Sequence, residues 1–344
     1  MKIGIEAQRL FRPNKHGMEV VALEMLREIK QLNNKYEIFL FVKKDEDNCI
    51  TSNKNLKVVE LPASPYPVWE QLTLRKELKK YGIDLLHCTA NTAPLNFKND
   101  YVVTLHDIIY LENISFRGSS YQNFGNLYRR FVVPKIAEKS KYIVTVSNYE
   151  KERITNRLKL DKNKVKVVYN AVNPSFKPIN KQDLALAKSK YGLPNNFILH
   201  FGNTAPKKNT FGALKAFSEI KSNSGYEDLY LVITDVNKEF IRKMLKSIKS
   251  EKLISDIILL DYVPFDEVPY LYNLANIFLY PSFRESFGMP ILEAMSCGVP
   301  VVTSNTSSMP EISGNAAELA APYDFEDIAT SKESLISIYE EALM

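Results

Sequence analysis

No apolar run in this 344-residue sequence is longer than a strand. None approaches the ~18 residues that a bilayer-crossing helix needs, so no membrane span is expected. Cysteine is scarce: Cys49, Cys88 and Cys297 are an odd number without metal-ligand spacing. That argues against a disulfide framework or a zinc site, and for free thiols in a reducing cytoplasm. There is no internal repeat and no low-complexity segment. Neither sign of charge is much in excess, with 45 Lys and Arg against 40 Asp and Glu and a net charge of +5. This is too mild to argue for a nucleic-acid partner. It is compatible with peripheral attachment to an anionic membrane face, where each nearby Lys or Arg contributes about 1 kcal/mol. Arg75, Lys76, Lys79 and Lys80 fall on one expected helix, and Arg129, Arg130 and Lys135 on another. A solvated helix face accounts for either set equally well. The opening Met1-Lys2-Ile3-Gly4-Ile5 reads as a strand and lacks a signal-peptide pattern.

What is present is an ordinary globular composition, 45% hydrophobic and 25% charged, at a length that favours two domains. Strands are expected at Lys2–Ala7, Tyr36–Val42, Leu56–Leu61, Asp84–Thr89, Tyr101–Leu105, Tyr142–Ser147 and Val165–Tyr169, then at Phe197–Phe201, Leu229–Thr234, Ile257–Tyr262, Ile277–Tyr280 and Val299–Thr303. Helical patterns lie between many of them. Leu23, Leu26, Ile29 and Leu32 make a helical stripe, and Ser147 with Glu150 makes a capping box. Short β-branched runs alternating with helices predict an α/β fold with parallel sheets covered on both faces. Pro174, Pro178 and Pro194 mark a break near Asn173–Asn195. Two doubly wound domains facing each other across a cleft, residues 1–175 and 176–330, are therefore expected, with ligands at the carboxyl ends of the strands.

The most informative segment is the corner from Arg284 to Val302, in which Glu285 and Glu293 stand eight residues apart. Pro290 suits a helix start and Gly298 its end. The backbone amides of Phe287, Gly288 and Met289 then lie at a helix N-terminus, where a phosphate is held by N–H groups and the helix dipole. A carboxylate beside such a site is awkward unless it accepts hydrogen bonds from neutral hydroxyls, and sugar hydroxyls are the obvious candidates. A second strand–loop–helix corner, Phe201 to Asn209, carries Gly202, Asn203, Lys207 and Lys208, compact positive charge suited to a diphosphate. His106-Asp107 leaves a strand tip, where a histidine can donate or accept a proton near neutral pH. Asp107 either positions His106 or caps the segment after it. Gly17 lies in the loop after the first strand, a weak sign by itself of close backbone approach to a phosphate. Asp45-Glu46-Asp47 matches a metal–diphosphate motif of a different fold, but between lysines and just after a strand it reads as a solvated loop.

From the Gly17 loop to about Tyr323, the chain resembles family 4 retaining glycosyltransferases of the GT-B fold, bacterial mannosyltransferases in particular. The Glu285-x7-Glu293 corner matches their signature, and Phe201 to Asn209 looks like their strand–Gly–loop–Pro–Arg–Lys–Asn stretch. Asn305-Thr306-Ser307-Ser308-Met309-Pro310-Glu311 resembles a stretch of bacterial, often mannosyl-transferring, members. By that resemblance Glu285 faces the donor sugar hydroxyls, Glu293 holds the ribose hydroxyls and Lys208 contacts the donor phosphates. His106 lies close to the reacting sugar and acceptor. Lys207 and Asn203 stand where arginines are common. The implied enzyme is a metal-independent hexosyltransferase without a cofactor. Its donor is a nucleotide diphosphate sugar, GDP-mannose favoured, held by the second domain. Its acceptor, held by the first, is a saccharide or lipid-linked saccharide of a surface polysaccharide such as lipopolysaccharide. Two other readings are a sugar-nucleotide epimerase and a non-catalytic nucleotide-binding partner subunit. Family members end in several helices, the last crossing back onto the first domain. Here only a short stretch follows Ala321, and Ser331–Leu343 is expected to be that last helix (331–344 packing back). Domain closure and turnover are the properties this departure touches.

Overall fold

The structure, a computed structural model, describes residues 1–13, 15, 17–31, 35–112 and 120–331. The expected helix beyond Ser331 lies outside them, as does Leu32 of the expected helical stripe. The chain divides into two compact units between Ala171 and Val172. No described helix is long and apolar enough to cross a membrane.

In the first unit the strands are β1 (Lys2–Glu6), β2 (Glu37–Lys43), β3 (Leu56–Leu61), β4 (Leu85–Cys88), β5 (Asp100–Thr104), β6 (Tyr142–Thr145) and β7 (Val165–Val167). They form one parallel sheet ordered β3-β2-β1-β4-β5-β6-β7. In the second unit they are β8 (Phe197–Phe201), β9 (Tyr230–Thr234), β10 (Ile257–Leu260), β11 (Ile277–Tyr280), β12 (Val301–Ser304) and β13 (Glu318–Ala320). Their sheet, also parallel, is ordered β10-β9-β8-β11-β12-β13. Both sheets therefore start in the middle and reverse direction once, between β1 and β4 and between β8 and β11. Such a reversal opens a crevice at the carboxyl ends of the strands.

The strands read as unbroken apolar runs because both faces of each sheet are covered. In β2, Phe39 and Phe41 enter one core while Ile38, Leu40 and Val42 enter another. In β11, Ile277 and Leu279 face one core, Phe278 and Tyr280 the other. The expected strands are found within a residue or two at most ends. β13 was not anticipated, because three residues, Glu318–Ala320, are too few to show a period. At the expected capping box Ser147 Oγ accepts the Glu150 amide at 3.2 Å, and Glu150 is buried. The window expected to separate the domains contains a helix, Lys181–Tyr191, capped by Asn180.

Candidate functional site

In the second unit, the loops leaving β8 and β11 meet at the point of strand reversal. After β8 the chain passes Gly202, where an added Cβ would lie 2.7 Å from Ile233 Cγ2 and 2.9 Å from the Thr234 carbonyl oxygen. Glycine is required there to lay the loop against the end of β9. Lys207 and Lys208 do not open the helix directly, as the spacing suggested. They sit in a single 3-10 turn, Pro206–Lys208, ahead of a helix at Thr210–Ser222. Between them Asn209 takes a left-handed conformation (φ 55°) and caps that helix, its Oδ1 accepting the Gly212 amide at 3.1 Å. Its Nδ2 donates to the Pro281 and Pro322 carbonyls at 3.0 and 2.8 Å. The Phe283 amide donates to the Lys207 carbonyl at 2.8 Å. The basic loop is thus tied to the segment that carries Glu285.

Lys208 Nζ donates to Glu285 Oε1 at 2.8 Å and to the Tyr280 hydroxyl at 2.5 Å. Both expected site residues are brought together as an ion pair, the lysine side chain 21% and the glutamate 11% exposed. Burial pushes the Glu285 carboxyl up, but the charges of Lys208 and Lys207 and hydrogen bonds from Lys208 and Tyr280 outweigh it, so its pKa falls below the usual 4.5. Lys207 and Asn203 are exposed, Asn203 Oδ1 accepting the Ala205 amide.

The helix expected after Glu285 spans Met289–Ser296, with Pro290 in its first turn. Gly288 precedes it at φ 101°, a backbone that L side chains rarely adopt. The amides of Gly288 and Met289 meet no acceptor among the described residues and stand at the positive end of the helix. Phe287 beside them is buried. At the other end Gly298 (φ 79°) stops the helix as expected. Glu293 is not solvated. It is 8% exposed and accepts the Tyr272 hydroxyl at 3.0 Å. Burial, only partly offset by that bond, pushes its pKa up to about 7.

The Asn305–Glu311 stretch props this corner from behind. Ser308 Oγ, fully buried, donates to the Glu285 and Phe287 carbonyls at 3.0 and 2.9 Å. Ser307 Oγ accepts the Glu285 amide at 3.1 Å and donates to its carbonyl at 2.6 Å. Arg284 reaches the same carbonyl at 3.0 Å. Tyr272 and Tyr280 were missed by sequence reasoning because they sit inside apolar core patterns. Tyr280's place as the last residue of β11, at the reversal point, was the available signal.

The remaining expected residues lie in the first unit. His106 follows β5 and is 7% exposed. Its amide donates to Asn91 Oδ1 at 2.7 Å, and Nε2 lies 2.9 Å from the Thr89 carbonyl. A carbonyl only accepts, so Nε2 carries the proton and Nδ1 is left as an acceptor. Burial lowers the His106 pKa below 6.5, despite the Thr89 bond and the charges of Asp107 and Glu19. Asp107 Oδ1 accepts the Ile109 amide at 3.1 Å, the capping role. Gly17 is the first residue of the helix Gly17–Gln31, exposed and uncrowded, rather than part of the loop before it. Asp45 and Asp47 pair with Lys43 and Lys15. Among the described residues no cluster could hold a metal ion.

Residues 16–176 match the family model Glycosyltransferase Family 4, and residues 182–343 match Glycosyl transferases group 1. O-antigen chain mannosyltransferase B of Escherichia coli is 32% identical over 195 residues, which are 56% of this chain and 50% of that protein. O-antigen chain mannosyltransferase RfbU of Salmonella typhimurium is 30% identical over 261 residues, 75% of this chain and 66% of that protein. The chain thus matches between half and two thirds of the length of these relatives. Anabaena HepE, solved with UDP and glucose, aligns with a TM-score of 0.73 at 17% identity, covering 98% of this chain and 90% of that one. That likeness identifies the fold as the GT-B fold expected from the sequence. The chain belongs to the glycosyltransferases, with a family 4 module in its first unit and a group 1 module in its second.

Proposed function

We propose that the protein is a retaining, metal-independent glycosyltransferase that moves mannose from a nucleotide diphosphate sugar, GDP-mannose favoured, to a growing surface saccharide. The observation that carries this reading is the Lys208–Glu285 pair at the strand reversal, beside the open amides of Gly288 and Met289. As the bond from sugar to phosphate breaks, the sugar gains oxocarbenium character and the leaving diphosphate gains charge. Lys208 and the helix start meet that charge where it develops, which supports a mechanism without a metal ion. Glu285, held ionised by two lysines, accepts hydrogen bonds from the sugar hydroxyls. Glu293, poised near pH 7, serves the ribose hydroxyls as acceptor or donor. His106, neutral and with Nδ1 open, orients the donor sugar or acceptor.

The mannose assignment rests on the mannosyltransferase relatives. The acceptor is a saccharide or lipid-linked saccharide of a surface polymer, a reading supported by the O-antigen chain in the names of the same relatives. Among the described residues no carboxylate stands out as a covalent nucleophile, and attack on the face from which the diphosphate departs is the mechanism proposed. Calorimetry with GDP, UDP and dTDP, on the wild type and on Glu293→Ala, tests the donor site. Tight binding of GDP that the substitution weakens is the expected result. Preference for UDP would redirect the donor, and unchanged affinity in Glu293→Ala would sink the ribose assignment.

A further inference from the structure

Where β8 and β11 part, a histidine side chain takes over from the backbone ladder. The two strands pair at Ile198 with Ile277 and at Leu199 with Phe278, and the pairing stops there. On its other side β8 stays paired with β9 as far as Phe201. At the next step of the register, His200 stands opposite Leu279, and the ring makes the bond: His200 Nδ1 lies 2.9 Å from the Leu279 carbonyl oxygen. A carbonyl only accepts, so Nδ1 carries the proton and Nε2 is an acceptor. Nε2 lies 3.2 Å from Thr210 Oγ1, and the threonine hydroxyl donates to it. Thr210 Oγ1 in turn accepts the Asn203 amide at 3.4 Å. The Asn203 carbonyl is also 3.4 Å from that hydroxyl, but the single proton goes to the nearer ring nitrogen. The result is a chain of three hydrogen bonds with one direction, from the Asn203 amide through Thr210 and His200 to Leu279. His200 is wholly buried and Thr210 is buried with it. Burial, aided by the charge of Lys208 and opposed by the Leu279 bond, pushes the histidine pKa down to about 4. The ring is therefore neutral near pH 7, as it must be to accept from Thr210.

Both ends of this chain of bonds lead to the Lys208–Glu285 pair. Asn203 begins the loop whose 3-10 turn carries Lys208, and Thr210 is the first residue of the helix that follows the turn. Leu279 precedes Tyr280, whose hydroxyl accepts from Lys208. The loop is thus fastened at its entrance and its exit to one ring, and that ring is pinned to β11. We propose that His200, acting through Thr210, is the positioning residue of the loop: it sets Lys208 against Tyr280 and Glu285, and so tunes affinity for a nucleoside diphosphate. It reaches the site only through other residues. Imidazole suits the place because it offers one donor and one acceptor on a rigid, uncharged ring. An apolar side chain here would leave the Leu279 carbonyl and the Thr210 hydroxyl without their buried partner. The consequence for affinity rests on the donor-site reading, whereas the chain of bonds is testable without a nucleotide.

The test uses the full chain. Nitrogen-15 spectra of the wild type at pH 7 should show His200, one of four histidines, protonated on Nδ1. Thr210→Val removes the hydroxyl at nearly constant volume. It should speed hydrogen exchange at the Asn203 amide and weaken nucleotide binding, measured by calorimetry with GDP, UDP and dTDP, about five- to tenfold, the loss of one hydrogen bond. Thr210→Ser should bind as the wild type does. His200→Asn retains a donor for the Leu279 carbonyl but is too short to reach Thr210. It should lose as much affinity as Thr210→Val, and the double substitution no more than either, since both cut the same link. A histidine that only fills the core predicts the opposite pattern: lower melting temperatures, unchanged nucleotide affinity in Thr210→Val and no rescue to observe in Thr210→Ser. That pattern overturns the proposal, as does a ring protonated on Nε2. Should the wild type bind none of the three nucleotides, the donor-site reading falls, and the tautomer and the Asn203 exchange alone uphold or overturn the hold of His200 on the loop.

Discussion

The two units share one strand order, yet the crevices at their reversal points are built on opposite electrostatic plans. In the second unit, the loops after β8 and β11 bring in a lysine and a carboxylate that keep each other charged, partly open to solvent. In the first, the last residue of β1 is Glu6, wholly buried, with Oε1 accepting the Gln8 amide and Oε2 unpartnered. Burial pushes its pKa up to about 7, beyond what the Gln8 amide and the charge of Arg9 recover. Nearby Glu70, also wholly buried, is surrounded by hydroxyls from Tyr66, Thr92 and Tyr128 and an amide from Gln71, and its pKa is raised by burial. Topology therefore fixes where a crevice opens, and the side chains at the strand ends decide what it can hold. The second unit keeps an ionised lysine–glutamate pair at its reversal point. The first buries carboxyls whose pKa values are raised by the loss of water around them.

Breaking the charged side has the largest expected effect. Lys208→Ala should lower donor turnover by about 10²–10³, the cost of removing one stabilising group at a developing anion, and should leave Glu285 buried without its main partner. Initial-rate kinetics with saturating acceptor read this out, and a fully active variant would refute the phosphate role.

The neutral side is tested by pH. Glu6 binds its proton in the folded state up to about pH 7 but in the unfolded chain only to about 4.5. Between those values the native state holds more protons, so its contribution to stability falls as pH rises. Glu6→Gln mimics the protonated acid. Its melting temperature should match the wild type at pH 5 and exceed it at pH 8, a gain on the order of 2–3 kcal/mol. Glu293 adds a fall of the same sign in the same window. Equal pH profiles for Glu6→Gln and wild type would mean that Glu6 is not held neutral.

Ser308→Ala sharpens the comparison with the smallest change. Removing one hydroxyl that supports two carbonyls should cost about 1–2 kcal/mol in thermal unfolding. Nucleotide affinity should fall with it, because Glu285 and the Gly288 turn lose their support. Weaker folding with unchanged nucleotide binding would show that the Asn305–Glu311 stretch serves stability alone.

Much of this was legible in the sequence. The apolar strand runs announced sheets covered on both faces. Gly298 marked a helix end, and the Glu285–Glu293 corner read correctly as a turn into a helix. Each of these is set by a few adjacent residues, through backbone sterics, capping and period. Less legible were β13, too short for a period, the 3-10 turn that holds Lys208 outside its helix, and the tyrosines that reach the two glutamates from within the core.

The sequence by itself determined the class of fold, the two corners and the residue types that stand at them, because those depend on local geometry. Only the tertiary structure decided the state of each group. Lys208 lies 77 residues from Glu285 along the chain, and Tyr272 lies 21 from Glu293. Whether a carboxylate is ionised depends on such through-space partners and on the water excluded around it. Glu285 is held charged and Glu293 near neutrality because folding buries both and places a lysine beside only one.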